Sequence, residues 1–368
     1  MDFQKLISRY KQFGGAKLVW QYVKLGALGP AIKAGVRCLL KRQSFKAIYP
    51  EVLRKIEPFL IQKYGSKVQE FKKFLDGPSG KAERNGSREL MHEHPKVIWW
   101  CWLQGYDAAP PIVKACYNSL MREFKGSRVQ GLNDGYEIKV IDGENWKEYI
   151  ELPDFIVKKW EKKQIPPAMF SDLLRVELLI KYGGTWIDST VLCTGVNDNH
   201  NDNENKKDSK LATDSKLSTL NSQLKHKMLE FLDADLFLFQ YTKQGSITVS
   251  ISNWFISAHS NNEVLIVLRD MLYAYWKDFD CVLDYYVFHL FFAMISKEYP
   301  EQMAAMPYAQ SQRSLVLLHH WGEEFDRRKW DKLTSEVCFH KLAFRVSEEV
   351  KKDKENYYNY ILTEYGRI

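Results

Sequence analysis

Residues 166–192 constrain the fold of this 368-residue chain most strongly. Two prolines suit the first turn of a helix, apolar residues then recur at helical spacing, and the glycine pair Gly183-Gly184 is a typical helix stop. A strand at 185–192 follows directly and carries the charge of Asp188. This succession predicts an α/β fold with a mostly parallel sheet, in which ligands bind beyond the carboxyl ends of the strands.

Strand-like and helix-like segments alternate along most of the remaining chain. We predict a strand at 96–103 and further strands at 136–141, 236–241, 247–255, 314–319 and 337–344. Helices are predicted at 113–123, at 262–276 and in the apolar stretch that ends at Ile295. The predicted fold class is therefore α/β, a Rossmann-type mixed sheet flanked by helices, with a basic helical segment before it.

Positive charge is concentrated at the start of the chain. Residues 1–50 hold ten lysines and arginines against one acid, Asp2, whereas the whole chain carries a formal charge of +7. Residues 1–76 are expected to form helices broken at Gly14-Gly15 and around Gly29-Pro30. A basic, aromatic-bearing helix can lie on anionic lipid, at about 1 kcal/mol per basic residue, but a helical subdomain with a solvated basic face explains the pattern equally well.

The predicted organisation has three parts. Residues 1–90 form the basic helical segment and a linker, residues 91–346 form the α/β domain, and residues 347–368 form a helical tail. Residues 197–224 are almost wholly polar and are expected to be a flexible surface insertion. Scattered cysteines, the lack of a signal peptide and the lack of about 18 successive uncharged apolar residues predict a cytoplasmic protein that does not cross a membrane.

One long motif carries a family resemblance. The pattern S-D-x-x-R, a helix, and G-G-x-[aromatic]-x-D occurs in SDLLRVELLIKYGGTWIDSTV, residues 171–191. It resembles the signature of the DXD-type sugar-transfer glycosyltransferases, specifically their capsular polysaccharide synthesis branch, and more distantly the glucosylating domains of large bacterial toxins. The resemblance implies a GT-A-like fold and sugar transfer from a nucleotide-diphosphate donor, by preference a UDP-sugar, to a polysaccharide or lipid-linked glycan, with retention of anomeric configuration.

The resemblance also implies roles for individual residues. Asp172 and Arg175 match residues that hydrogen-bond the donor sugar, and Trp102 matches an aromatic residue that stacks on the nucleobase. These roles suit the chemistry, because an indole fits a base face and charged side chains fit sugar hydroxyls. The expected donor site comprises Trp102, Asp172, Arg175, Gly184, Ser189, Thr190 and Lys341.

Simpler explanations of the same residues stay open. Asp172 and Arg175 are three positions apart, so they could be a helix-surface pair that contributes a few tenths of a kcal/mol. Trp99, Trp100 and Trp102 alternate along one strand, so at least one of them is expected to be core. Asp233 and Asp235 also form a D-x-D sequence, but they precede a strand instead of ending one, and we discount them.

A divalent cation, Mn²⁺ or Mg²⁺, is implied by the DXD pattern, with Asp188 and His340 as its expected ligands. Position 190 departs from a full DXD, because it holds Thr190 where a second acid would stand. Its hydroxyl is a weaker ligand for a hard cation than a carboxylate. Either the donor phosphates supply most metal ligands, or side-chain cations replace the metal; the D-x-T form is usual in the capsular branch and is interpreted as a family trait.

Two further segments resemble the capsular enzymes more loosely. The run DYYVFH from Asp284 resembles their acceptor-side D-Y-x-x-x-H, so Asp284 is expected to act with Asp188 as a catalytic residue that orients or deprotonates the acceptor hydroxyl. An N-cap role for Asp284 is an equal alternative. His340-Lys341-Leu342 resembles their C-terminal H-K-L, whose imidazole and ammonium could face metal and phosphate.

Other functions are weighed against this one. A catalytically silent relative that binds glycans, or serves as a scaffold in capsule assembly, would fit the same sequence if Thr190 marked a loss of metal binding. A nucleic-acid binder is not expected, because no recognised nucleic-acid module accompanies the basic segment.

Overall fold

The computed structural model describes residues 3–40, 45–78, 95–124, 135–194, 223–224, 226–241 and 250–366. Its strands are β1 (Val97–Cys101), β2 (Glu137–Ile141), β3 (Gly184–Asp188), β4 (Val191–Cys193), β5 (Leu236–Gln240), β6 (Ile251–Ala258) and β7 (Phe339–Lys341). The main sheet has the order β2-β1-β3-β6-β5, with β1 parallel to both β2 and β3, and β6 antiparallel to its two neighbours. The predicted α/β class with a mixed sheet is confirmed, but two of the four strand pairings are antiparallel, so the sheet is not mostly parallel as expected.

Helices surround this sheet. They are α1 (Phe3–Gln12), α2 (Ala16–Lys24), α3 (Leu28–Leu40), α4 (Phe45–Asp76), α5 (Pro111–Phe124), α6 (Trp146–Tyr149), α7 (Asp154–Glu161), α8 (Pro167–Tyr182), α9 (Glu263–Asp278), α10 (Val287–Ile295), α11 (Pro300–Ala305), α12 (Ser311–Ser314), α13 (Val316–His320), α14 (Arg327–Glu336), α15 (Glu348–Lys352) and α16 (Tyr357–Tyr365). In the described ranges, no helix is both long and apolar enough to span a bilayer.

The sheet separates two hydrophobic cores, because successive side chains of a strand point to opposite faces. Trp99 lies in one core with residues of α4, α8, α9 and α10, and its indole nitrogen donates to the Gly183 carbonyl at 2.9 Å. Trp100 lies in the other core with residues of α5 and α16. Both side chains are buried, which confirms that the tryptophan run includes core residues.

The two glycines between α8 and β3 are required by close backbone contacts. Gly183 ends the helix at φ +71°, in the left-handed region that favours glycine. Gly184 has φ +92°, and a Cβ atom there would lie 2.5 Å from the Val97 carbonyl oxygen of β1. Glycine at both positions therefore allows β3 to pack against β1 directly after the helix.

The N-terminal helices pack onto the α/β part of the chain. Ile56, Leu60 and Tyr64 of α4 are fully buried in the core that contains α9 and α10, and the Tyr64 hydroxyl donates to Asp278 at 2.8 Å. The predicted break at Gly14-Gly15 is confirmed. The second break falls at residues 25–27 instead of Gly29-Pro30, because proline is tolerated in the first turn of α3.

Several predicted elements differ from the structure. The predicted strand at 314–319 is wrong, since this stretch belongs to α12 and α13, and short apolar runs do not distinguish a strand from a buried helix. The predicted strand at 185–192 is two strands, β3 and β4, with a turn at Ser189-Thr190. The predicted insertion at 197–224 lies outside the described residues except for 223–224.

Candidate functional site

The candidate site lies at the carboxyl edge of the parallel strands. Asp188 ends β3 opposite Cys101, the last residue of β1. After the Ser189-Thr190 turn, β4 pairs with β7, which places Lys341 opposite Val191. The amide of Leu342 donates to the Thr190 carbonyl at 2.8 Å and extends this pairing. A residue from the end of the domain thus reaches the carboxyl end of β3.

Asp188 lies between two cationic side chains. Its Oδ1 accepts a hydrogen bond from Trp186 Nε1 at 2.9 Å and lies 3.3 Å from Arg175 Nη2. Its Oδ2 lies 3.5 Å from Lys341 Nζ, and the same ammonium donates to Thr190 Oγ1. The Asp188 side chain keeps 26% of its surface exposed, so the carboxylate is accessible while being held from both sides.

Arg175 and Asp172 are buried beneath Asp188, with 4% and 6% of their surface exposed. The guanidinium donates to the Ser171 carbonyl at 3.2 Å and to the Asn253 carbonyl, and lies 3.4 Å from Asp172 Oδ1. Asn253 Nδ2 donates to the same Asp172 oxygen at 2.9 Å. The pair is therefore an internal part of the site and not a helix-surface pair.

Burial changes the protonation of Asp172. Loss of solvent raises the pKa of Asp172 to about 7; the Arg175 charge opposes this rise, and the Asp188 charge adds to it. Near neutral pH the Asp172 carboxyl is consequently divided between its protonated and ionised forms. It can then donate or accept a hydrogen bond, which suits the recognition of a sugar hydroxyl.

Trp102 follows β1 at the same edge. It is half-buried, and its ring centroid lies 5.3 Å from that of Phe344 at an interplanar angle of 78°. Phe344 itself is 42% exposed. Among the described residues, the buried Trp102 Nε1 has no hydrogen-bond acceptor, so a ligand could accept from it. Two aromatic rings in edge-to-face contact thus lie at the position expected to bind a nucleobase.

Asp284 has a structural role in the turn before α10. It is fully buried, and its Oδ1 accepts from the Tyr286 amide at 2.8 Å in the turn before α10. The N-cap of α10 is Tyr286, so Asp284 supports the helix start from two residues earlier. This burial separates Asp284 from any acceptor hydroxyl that approaches through solvent.

The neighbouring Tyr285 is exposed and borders the site. Its ring stacks on that of Phe13, with 6.2 Å between the centroids. Partial loss of solvent, followed by the charge of Asp172 and smaller effects of Tyr286 and Asp188, raises the pKa of the Tyr285 phenol. The Val282 amide donates to the Phe13 carbonyl at 2.8 Å, so the N-terminal helices are joined to the turn that borders the site.

Two of the expected site residues lie elsewhere. Gly184 is at the amino end of β3, opposite to Asp188, and its lack of a side chain is explained by packing against β1. His340 neighbours Lys341 on β7, so its side chain points to the opposite face, where Nε2 lies 3.2 Å from Thr194 Oγ1. Burial lowers the pKa of His340 to about 4, which keeps the imidazole neutral at pH 7.

A divalent cation does not fit the residues that the structure brings together. Mg²⁺ and Mn²⁺ prefer several oxygen ligands, including carboxylates. Here Asp188 is already flanked by Arg175 and Lys341, and Thr190 Oγ1 accepts from the same ammonium. In the part of the chain that the structure describes, no three His, Cys, Asp or Glu side chains are grouped as metal ligands.

Sequence reasoning did not identify Trp186 or Asn253. Trp186 donates to Asp188, and the Arg175 guanidinium lies over its ring at 5.0 Å. It occupies the aromatic position of the G-G-x-[aromatic]-x-D motif, which was a usable signal. Asn253 is the one amide side chain in β6, whose other polar residues are two serines, and this was the signal for its contact with Asp172.

Comparison with known proteins adds one match. Residues 39–226 and 213–361 match the family model described as "Capsular polysaccharide synthesis protein". The two matched segments together extend over most of the chain and include every residue of the candidate site described above except Phe13. No curated protein matches the sequence at a significant level.

Proposed function

The chain belongs to the capsular polysaccharide synthesis protein family, and from this premise we propose that it is a glycosyltransferase. It transfers a sugar from a nucleoside diphosphate sugar, by preference a UDP-sugar, to a polysaccharide or lipid-linked glycan acceptor. The observation that carries the proposal is the cluster of Asp172, Arg175, Asp188 and Lys341 at the carboxyl edge of the sheet.

The chemistry of this cluster supports donor binding. Lys341 provides positive charge for a diphosphate, since an ammonium forms strong charge-assisted hydrogen bonds with phosphate oxygens. Asp172 and Arg175 offer charged groups for sugar hydroxyls, and Trp102 offers an aromatic face for the nucleobase. Each residue thereby meets the part of the donor that its chemistry suits.

We propose transfer with retention of configuration. The bond between the anomeric carbon and the β-phosphate oxygen breaks, and its electron pair stays on the departing diphosphate. The acceptor oxygen bonds to the anomeric carbon on the same face and passes its proton to that diphosphate. Asp188 fixes the position of Lys341 beside the leaving group, and Asp284 positions the Tyr285 turn on the acceptor side.

Release of nucleoside diphosphate tests the proposal. UDP-, GDP- and other nucleotide sugars are incubated with the protein, with Mn²⁺, Mg²⁺ or EDTA, and Asp188→Ala is compared with the exposed-site control Glu161→Ala. We expect release from one donor by the native protein and the control, with at least about 100-fold less from Asp188→Ala. Equal release by Asp188→Ala would place the chemistry elsewhere. A nucleotide sugar that binds and is never turned over, even with glycan acceptors present, would favour the glycan-binding scaffold.

We also propose that the enzyme is cytoplasmic and docks on an anionic membrane surface through α2 and α3. These helices expose Trp20 and Val23, three positions apart, and Ile32 and Val36, four positions apart, so each helix presents an apolar strip. Exposed Lys24 lies over the Trp20 ring at 5.3 Å, and residues 1–50 are strongly basic. Basic and apolar side chains on one helix suit an anionic lipid interface.

Vesicle binding tests this location. Truncating residues 1–76 is unsuitable, because α4 supplies buried core residues, so single substitutions are required. Trp20→Glu and Ile32→Glu should each reduce sedimentation with phosphatidylserine vesicles, whereas Tyr308→Glu, at an exposed aromatic residue outside the helices, should not. Equal binding by all variants would reject docking through α2 and α3, and equal binding to neutral vesicles would reject the requirement for anionic lipid. Dimerisation that Trp20→Glu abolishes would assign the strip to a second copy instead.

A further inference from the structure

We infer that the Lys341 ammonium occupies the position that a divalent cation has in DXD-type glycosyltransferases, so this enzyme binds its donor diphosphate without a metal. The inference rests on the proposed function and deepens it by assigning the charge that meets the diphosphate. The residues assembled around Asp188 do not fit the divalent cation that the sequence led us to expect.

Strand pairing fixes the position of Lys341. The β4–β7 pairing fixes its backbone opposite Val191, and the Leu342 amide bonds to the Thr190 carbonyl at 2.8 Å. The ammonium therefore reaches the turn after β3 from a paired strand and not from a free loop. Its side chain remains 20% exposed, so a ligand can reach the charge.

The Lys341 ammonium contacts both residues of the D-x-T sequence. Lys341 Nζ donates to Thr190 Oγ1, lies 3.5 Å from Asp188 Oδ2, and donates to the Leu342 carbonyl at 3.4 Å. In a D-x-D sequence, the residues at 188 and 190 would both be acids. Here the oxygens of both residues face one ammonium, which would repel a divalent cation placed between them.

Both carboxylate oxygens of Asp188 already have partners. Its other oxygen accepts from Trp186 and lies 3.3 Å from Arg175, so both oxygens already have cationic or N–H partners. A metal ligand would have to exchange these contacts. A diphosphate requires no such exchange at Oδ1, because only Lys341 needs to turn its hydrogen-bond donors toward the phosphate oxygens.

In the reaction, Lys341 stabilises the departing diphosphate. When the bond from the anomeric carbon to the β-phosphate oxygen breaks, negative charge grows on that oxygen, and the ammonium stabilises it. The acceptor hydroxyl supplies the proton that the diphosphate gains, so Lys341 keeps its own proton throughout. No further reactant is needed.

Nucleotide binding by calorimetry tests the inference, with UDP and GDP as probes in EDTA, Mg²⁺ or Mn²⁺. We expect one nucleotide to bind in EDTA with an affinity within about threefold of that with metal. Lys341→Met should weaken this binding about 10- to 100-fold, Lys341→Arg should restore most of it, and the exposed-site control Lys332→Met should change nothing. Thermal transitions of the variants report whether each one folds.

The variant Asp188→Asn distinguishes diphosphate binding by Lys341 from diphosphate binding by a metal ion. If Lys341 binds the diphosphate, removing the carboxylate that competes for its ammonium retains or tightens nucleotide binding in EDTA, while turnover still falls as it does in Asp188→Ala. If a metal binds it, the same variant loses nucleotide affinity. Binding that EDTA abolishes and metal restores, or that Lys341→Met leaves unchanged, would overturn the inference while the glycosyltransferase proposal stands. Absence of nucleotide binding under every condition would overturn both.

Discussion

Asp172→Asn should remove a pH dependence of stability that the buried carboxyl creates. Burial raises the pKa of Asp172 to about 7, above its usual value of 3.8. Between these two values the folded protein holds a proton that the unfolded chain has lost. The free energy of unfolding therefore falls as the pH rises through this range, because the unfolded state binds fewer protons there.

The size of the effect follows from the two pKa values. Integrated between about pH 5 and pH 8, one carboxyl that titrates near 7 when folded and near 4 when unfolded lowers the unfolding free energy by about 2 to 3 kcal/mol. Asparagine has the shape of the protonated acid and can still accept from Asn253 through its carbonyl oxygen. The variant should consequently fold, and should match the native protein most closely at low pH.

Urea unfolding of both proteins across this pH range provides the assay. The difference in unfolding free energy, variant minus native, should increase by about 2 to 3 kcal/mol from about pH 5 to pH 8, since other titrating groups cancel in the difference. Parallel pH profiles for the two proteins would refute the reasoning. They would show that Asp172 has an ordinary pKa and is accessible to water.

Three further substitutions test other parts of the account. Gly184→Ala should lower the unfolding free energy by at least about 2 kcal/mol, because its Cβ would lie 2.5 Å from the Val97 carbonyl at φ +92°; an unchanged thermal transition would be incompatible with this geometry. His340→Gln should flatten the loss of stability below about pH 6.5, since the buried imidazole has a pKa of about 4 and the unfolded one takes up a proton first; identical acid limbs would argue against burial. Trp186→Phe keeps a ring beneath Arg175 but removes the hydrogen bond to Asp188, so donor turnover should fall about 10-fold, and the cavity left by the smaller buried ring should lower the melting temperature; native turnover would show that this bond is dispensable.

The sequence predicted best those structural features that depend on residues close together in the chain. The prolines, the apolar spacing and the glycine pair placed both ends of α8 and the start of β3 within about one residue, because each signal acts on its own neighbours. The same segment placed Asp172, Arg175 and Asp188 in one site, and the structure brings them together.

The parts that sequence did not predict depend on distant pairing. Lys341 reaches Thr190 across 151 positions through β4 and β7, and no local pattern encodes that register. His340 and Lys341 were predicted together, but alternation along the strand separates them, so only the lysine faces Asp188. For the apolar run 314–319, tertiary packing selected helices where composition also allowed a strand.

The central claim is that a nucleotide sugar binds at the carboxyl edge of β3. Hydrogen–deuterium exchange with and without a saturating nucleotide sugar measures this directly. The account predicts slower exchange of amides in residues 186–191 and 339–342 when the donor is bound, with no change in α11, residues 300–305. Protection confined to another part of the chain, or no protection with any nucleotide sugar, would contradict it.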